Sequence, residues 1–179
     1  MKNAIIGSLY CDGGCICKNP SPYGGTWAYV LTDERDEPLS EASGLILTEE
    51  IGFPVTNNLS EFIALVKALE AVPPLWAGRV CSDSNVTLGR FFKGWKITGI
   101  PEEWVRRGEK ARLRIDLERC RLVLIDGHPT GAHLSAGTGK RGHLVSRHNV
   151  RCDYLCRTRS IEYQEAHNII REDPRTMEA

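Results

Sequence analysis

Apolar residues in this chain come in short runs, and the period of the runs changes along it. Ala4 to Leu9 is an apolar run that reads as a buried strand. This strand is expected to end at Asp12, with Gly13 and Gly14 free to turn the backbone or let a ligand approach. Cys15 to Gly25 is rich in Gly, Pro, Asn and Ser, the composition of a turn region. Thr26 to Thr32 is aromatic and β-branched, and Leu39 to Thr48 follows a polar turn at Asp33 to Pro38. These features predict three strands in an antiparallel meander. Thr56-Asn57-Asn58 then opens a helix that runs to about Val72, where Pro73-Pro74 stops it. On its wheel Ser60, Lys67 and Glu70 share one sector, and Phe62, Leu65, Val66, Ala68, Leu69 and Val72 fill the other. Glu61 falls on the packing side.

The second half alternates in the same way. Gly78 to Ser82 predicts a fourth strand ending in Asp83, and Ser84 and Asn85 open a helix to about Phe92. Pro101 at a first helical position introduces Glu102 to about Asp116. Cys120 to Ile125 is a fifth, strongly apolar strand. Residues 130–147 are Gly-rich and basic, with no clear period, which predicts a loop beside the strand ends. His148 to Asp153 leads into a final helix carrying Leu155 and Cys156.

Composition narrows this picture. A chain of 179 residues, 41% hydrophobic, suits one α/β domain. No signal peptide is expected at the N-terminus, and no run reaches the roughly 18 apolar residues of a membrane span. The seven cysteines lack Cys-x-x-Cys spacing, and read as reduced thiols in a cytoplasmic protein and as small buried hydrophobes. The 23 basic and 23 acidic residues argue against a protein that simply coats nucleic acid. Their distribution is uneven, with seven bases against three acids from Arg106 to Arg121 and six bases against Asp153 from Gly139 to Arg159. A basic face for a phosphate backbone and a set of solvated helix faces both fit. Phe91, Phe92, Lys93, Trp95 and Lys96 interleave aromatic and basic side chains, as a nucleic-acid rim or a core edge with snorkelling lysines would.

The carboxylates carry the candidate chemistry. Asp12 and Asp83 sit at strand ends, Glu61 on the packed side of a helix, and Asp153 in the last helix. A strand-end Asp before a helix is a common site position, although Asp83 alone reads equally as a helix cap. Four such acids cannot share a pocket unpaired, because like charges a few ångströms apart repel. Hard oxygen ligands select Mg²⁺, or Mn²⁺ in its place. Two such ions about 3.5–4 Å apart can activate water and stabilise the leaving oxygen of a phosphodiester.

The motifs resemble those of type 1 ribonuclease H. Asp12-Gly13-Gly14-Cys15 with Asn19-Pro20 is similar to the family's first-strand motif. Thr56-Asn57-Asn58-Leu59-Ser60-Glu61 resembles its Thr-Asn-Asn-x-x-Glu motif. Asp83-Ser84 resembles the third motif, and Gly127-His128 followed by Asn149 to Asp153 resembles the last. The resemblance implies an RNase H-like fold: a five-stranded mixed sheet, its first three strands antiparallel, flanked by helices. Residues 1–160 would form the catalytic domain, and 161–179 a helix end and tail. It also implies two-metal cleavage of RNA paired to DNA, leaving 5′-phosphate and 3′-hydroxyl ends. Asp12, Glu61, Asp83 and Asp153 would hold the ions. His128 would assist product departure, with His143 as the alternative and His133 and His148 as bystanders. Gly13, Cys15, Asn19, Asn57 and Asn58 would line the minor groove, where RNA 2′-hydroxyls are exposed, and Thr56 would lie near a DNA phosphate. The partner would be an RNA/DNA hybrid, met by a monomer with no membrane or protein partner. Two departures stand out: a long interval from His128 to Asp153, carrying His133, Lys140, Arg141 and His143, and the lack of an extended basic handle. A binding module without catalysis, and a nuclease for another nucleic acid, are the alternatives.

Overall fold

A computed structural model describes residues 7–125 and 146–169. His128, His133, Lys140, Arg141 and His143 lie outside the described residues, as does the Asp126-Gly127 pair. In chain order the elements are β1 (Ser8–Cys15), β2 (Gly24–Thr32), β3 (Pro38–Leu47), α1 (Thr48–Ile51), α2 (Asn57–Ala71), β4 (Arg79–Ser82), α3 (Asn85–Phe92), α4 (Glu102–Arg114), β5 (Arg121–Leu124) and α5 (Arg147–Ala166). The five strands form one sheet in the order β3-β2-β1-β4-β5. β1, β2 and β3 pair antiparallel, whereas β4 runs parallel to β1 and β5 parallel to β4. The mixed sheet inferred from the sequence is therefore the one found.

Each face of the sheet has its own core. Leu9, Cys11 and Val80 pack with Phe62, Leu65, Leu69 and Phe91 on the α2 side. Tyr10, Ala28, Val30 and Cys81 pack with Cys152 and Cys156 beneath α5. The period-two pleat of β1 produces this split. Cys11, Cys81, Cys152 and Cys156 are buried and unbridged, so they act as small hydrophobes.

Several local expectations need correction. β1 does not end at Asp12 but continues to Cys15, with Gly13 opposite Trp27 and Gly14 opposite Thr26. Gly13 is there for close approach, not for a turn. A Cβ at that position would stand 2.6 Å from Glu61 N and collide with the Ser60 carbonyl. Ser60, assigned by its wheel sector to the polar side, is fully buried, because α2 lies directly on the glycines of β1 and β2. α5 begins one residue before His148. Ser146 caps it, accepting from His148 N at 3.2 Å. His148 is buried, with its Nε2 2.9 Å from the Asp36 carbonyl, while Tyr10 donates to Asp36 Oδ1 at 3.0 Å. Together they fasten the start of α5 to the β2–β3 turn. Phe91 belongs to the core, as the core-edge reading of its segment holds, whereas Trp95 is 42% exposed.

Candidate active site

Three elements converge at the middle of the sheet. β1 supplies Asp12, the second turn of α2 supplies Glu61, and the residue after β4 is Asp83. Thr56 caps α2 by accepting from Leu59 N at 3.2 Å, so Glu61 is not needed there. Ser84 caps α3 by accepting from Thr87 N at 3.2 Å, which removes the helix-cap explanation for Asp83. One carboxylate oxygen from each of the three acids lies within 4.8 Å of the others. Asp12 and Glu61 retain only 8% and 9% exposure.

This crowding has electrostatic consequences. Gly13 N donates to Asp12 Oδ1 at 3.0 Å, but burial and then the Asp83 charge push the Asp12 carboxyl up to about 8. Burial, followed by the charges of Asp12 and Asp83, also holds Glu61 well above the usual carboxylate range. Glu61 Oε2 is sealed from solvent with no hydrogen-bond partner among the described residues. Buried acceptors of this kind are costly unless a proton or cation satisfies them. The donor set is all oxygen and anionic, which suits a hard divalent ion.

Asp153 stands apart from this trio. It lines the same cleft as Asp12, Gly13 and Cys15, and its charge contributes to the raised Asp12 carboxyl. Its Oδ2, however, lies 2.9 Å from Arg157 Nε, one helical turn on, with the Asp153 side chain 25% exposed. Sequence reasoning missed Arg157, although the Asp-x-x-x-Arg spacing places the two on one helix face.

The residues expected to meet substrate cluster beside the acids. Asn19 Oδ1 accepts from Asn57 N at 3.1 Å. Cys15 Sγ donates to the Val55 carbonyl at 3.3 Å, and a Ser21–Val55 bridge joins the same segments. Thr56, Asn57 and Asn58 form the start of α2, with both asparagines exposed. Gly13, Cys15, Asn19, Thr56, Asn57 and Asn58 thus border one polar shelf, linked to the acids through Gly13 and α2.

The sheet order and the acid trio at its centre define an α/β domain with a site for a hard cation. Comparison with known proteins makes the assignment specific. The RNase H family model matches residues 6–161. Ribonuclease H of Syntrophus aciditrophicus is 32% identical over 147 residues, covering 82% of this chain and 76% of that protein. Ribonuclease H of Syntrophomonas wolfei is 33% identical over 162 residues, covering 88% and 95%. The crystal structure of LC11-RNase H1 in complex with an RNA/DNA hybrid shares the fold, with a TM-score of 0.60 and 21% identity over 87% of this chain and 97% of that one. The chain belongs to the RNase H family. It is accordingly an enzyme, an endonuclease of the hydrolase class.

Proposed function

We propose that this enzyme hydrolyses the RNA strand of RNA/DNA hybrids with two Mg²⁺ ions, leaving 5′-phosphate and 3′-hydroxyl ends. The observation that carries the reading is the trio Asp12, Glu61 and Asp83, buried and within 4.8 Å of one another. These residues fit a cation, since Glu61 Oε2 is an orphaned acceptor and Asp12 is raised to about 8 without one. When bound, the ions would supply an acidified water and neutralise charge at the leaving oxygen. The trio would hold them, with Asp153 available from the cleft it lines with Asp12. Its pairing with Arg157 is partly exposed, and such pairs are weak enough to exchange, at about 0–1 kcal/mol. Gly13 holds Asp12 in place through its N–H, so the carboxylate need not reorganise when a cation arrives.

The polar shelf supplies strand choice in this reading. The exposed Asn57 and Asn58 amides offer donors and acceptors to the 2′-hydroxyls that distinguish RNA from DNA. Asn19 is fixed by its bond to Asn57 N, which keeps the shelf rigid. Labelled RNA/DNA, RNA/RNA and DNA/DNA duplexes, incubated with Mg²⁺ or EDTA, test the proposal. Cutting confined to the RNA of the hybrid, and only with metal, is expected. Metal-independent cutting, or equal cutting of DNA/DNA, overturns it.

A further inference from the structure

His148, in the first turn of α5, is a buried polar group that neither the acid trio nor the polar shelf uses. It is only 4% exposed. Its Nε2 lies 2.9 Å from the Asp36 carbonyl and 3.3 Å from Asp36 Oδ2. A carbonyl can only accept, so Nε2 carries the hydrogen. Arg147 Nε, 3.4 Å from the same nitrogen, therefore meets no free lone pair there. The His148 ring also packs on Tyr10, with centroids 5.0 Å apart, and Tyr10 donates to Asp36 Oδ1 at 3.0 Å. Arg147 Nη2 adds a bond to the Asp36 carbonyl at 3.1 Å. The start of α5, the β2–β3 turn and β1 thus meet at one buried ring.

The position of His148 on the helix gives it leverage over the site. The helical period puts His148, Cys152 and Cys156 on one face of α5, and all three are buried. Cys152 Sγ donates to the Tyr10 carbonyl and Cys156 Sγ to the Asp12 carbonyl, both at 3.6 Å, so this face lies along β1. Asp153 follows Cys152, about 100° further round the helix, and lines the cleft with Asp12. A turn of α5 about its own axis would therefore carry Asp153 towards Asp12 or away from it. Thiols are weak donors, so the two cysteine bonds resist such a turn poorly. The Arg151–Glu41 pair is short, at 2.7 and 3.0 Å, but its side chains are 45% and 39% exposed, and exposed pairs are weak. The Arg159–Ser43 bond is exposed as well. Among the described residues, the buried bond from His148 to the Asp36 backbone is the tie best placed to fix the rotation of α5.

We propose that His148 is a positioning residue, whose bond to the β2–β3 turn sets the rotation of α5 and with it the approach of Asp153 to Asp12. The proposal rests on the reading that Asp153 serves the bound cation. Mn²⁺ affinity of the full chain, measured by calorimetry, tests both in a cycle of the parent, His148→Ala, Asp153→Asn and the double variant. Asp153→Asn should weaken binding. His148→Ala should weaken it by about tenfold, the low end for groups that orient a metal ligand, and should add nothing once residue 153 is changed. His148→Gln, which keeps an N–H near the place of Nε2, should recover part of the loss. A merely structural tie would lower the melting temperature in both backgrounds and leave Mn²⁺ affinity unmoved. Parental affinity in Asp153→Asn removes Asp153 from the cation site, and the proposal goes with it. A weakened Asp153→Asn beside an unchanged His148→Ala overturns the proposal alone. So do equal losses from His148→Ala in both backgrounds, or a His148→Gln that binds no better than His148→Ala. Should His148→Ala fail to fold, Tyr10→Phe takes its place in the cycle. It breaks the hydroxyl bond to the same turn without opening a cavity, and its loss of affinity should likewise vanish in the Asp153→Asn background; a loss that persists there, or none at all, overturns the proposal.

Discussion

Asp12→Asn should stabilise the metal-free protein while abolishing cutting. Two full charges 4.8 Å apart, the outer limit for the trio, repel by about 3.5 kcal/mol at an effective dielectric of about 20. The folded protein escapes this by keeping a proton on Asp12 up to a pKa of about 8, whereas an unfolded Asp releases it near 3.9. The folded state therefore holds more protons between these values, and stability must fall as pH rises through the window. The stabilisation by the Asp12 proton is complete below about pH 4 and lost as pH rises through about 8. Asparagine keeps an oxygen for Gly13 N and carries no charge. After allowance for relaxation, the variant should exceed the parent by about 2–4 kcal/mol at pH 8, or roughly 5–10 °C in melting temperature for a chain of this size. Thermal melts by circular dichroism in EDTA, from pH 4 to 8, read this directly. Mg²⁺ should then raise the parent's melting temperature and close the gap. A variant that melts at or below the parent at pH 8 in EDTA, or a gap that does not narrow on acidification, refutes the repulsion argument.

Gly13→Ala should cost about 3 kcal/mol or more, since its Cβ meets the backbone of α2 and not a flexible side chain; chemical denaturation checks it, and a loss under about 1 kcal/mol would mean that α2 can retreat. Arg157→Ala removes the cation 2.9 Å from Asp153 and should tighten Mn²⁺ binding measured by calorimetry; unchanged affinity would place Asp153 outside the metal site. Ser84→Ala deletes the α3 cap and should destabilise by about 1 kcal/mol, with metal binding preserved in the same calorimetric assay.

Periodicity and breakers were enough to read the meander, α2 and the mixed sheet, because each strand's face and each helix's stop is a local property. The acids were legible for a related reason. A carboxylate at Asp12, amid an apolar strand, and another at Glu61, on a packed helix face, both break a local rule. Ser60 was misread because the wheel of α2 assumes one solvent face, and nothing in the helix itself shows that glycines at 13 and 25 let β1 and β2 rise to meet it. Arg157 escaped notice because an i,i+4 pair on a helix looks the same whether it lines a cleft or faces water.

The same residues that make the site rigid also make it costly. Gly13 lets α2 settle on β1 so closely that Glu61 has little solvent left, and the same glycine's N–H fixes Asp12. Loosening that contact would let water in and relieve the repulsion, but it would also let the three oxygens drift apart. A cation binds best to oxygens that have already been brought together and desolvated. The repulsion in the metal-free state is therefore the direct consequence of a cradle shaped in advance, and the gain from Asp12→Asn should vanish if Gly13 is first replaced by a residue that forces α2 away. That double substitution couples the two sites through one helix, and strict additivity of the separate effects would show that the closeness of α2 is not what raises the Asp12 carboxyl.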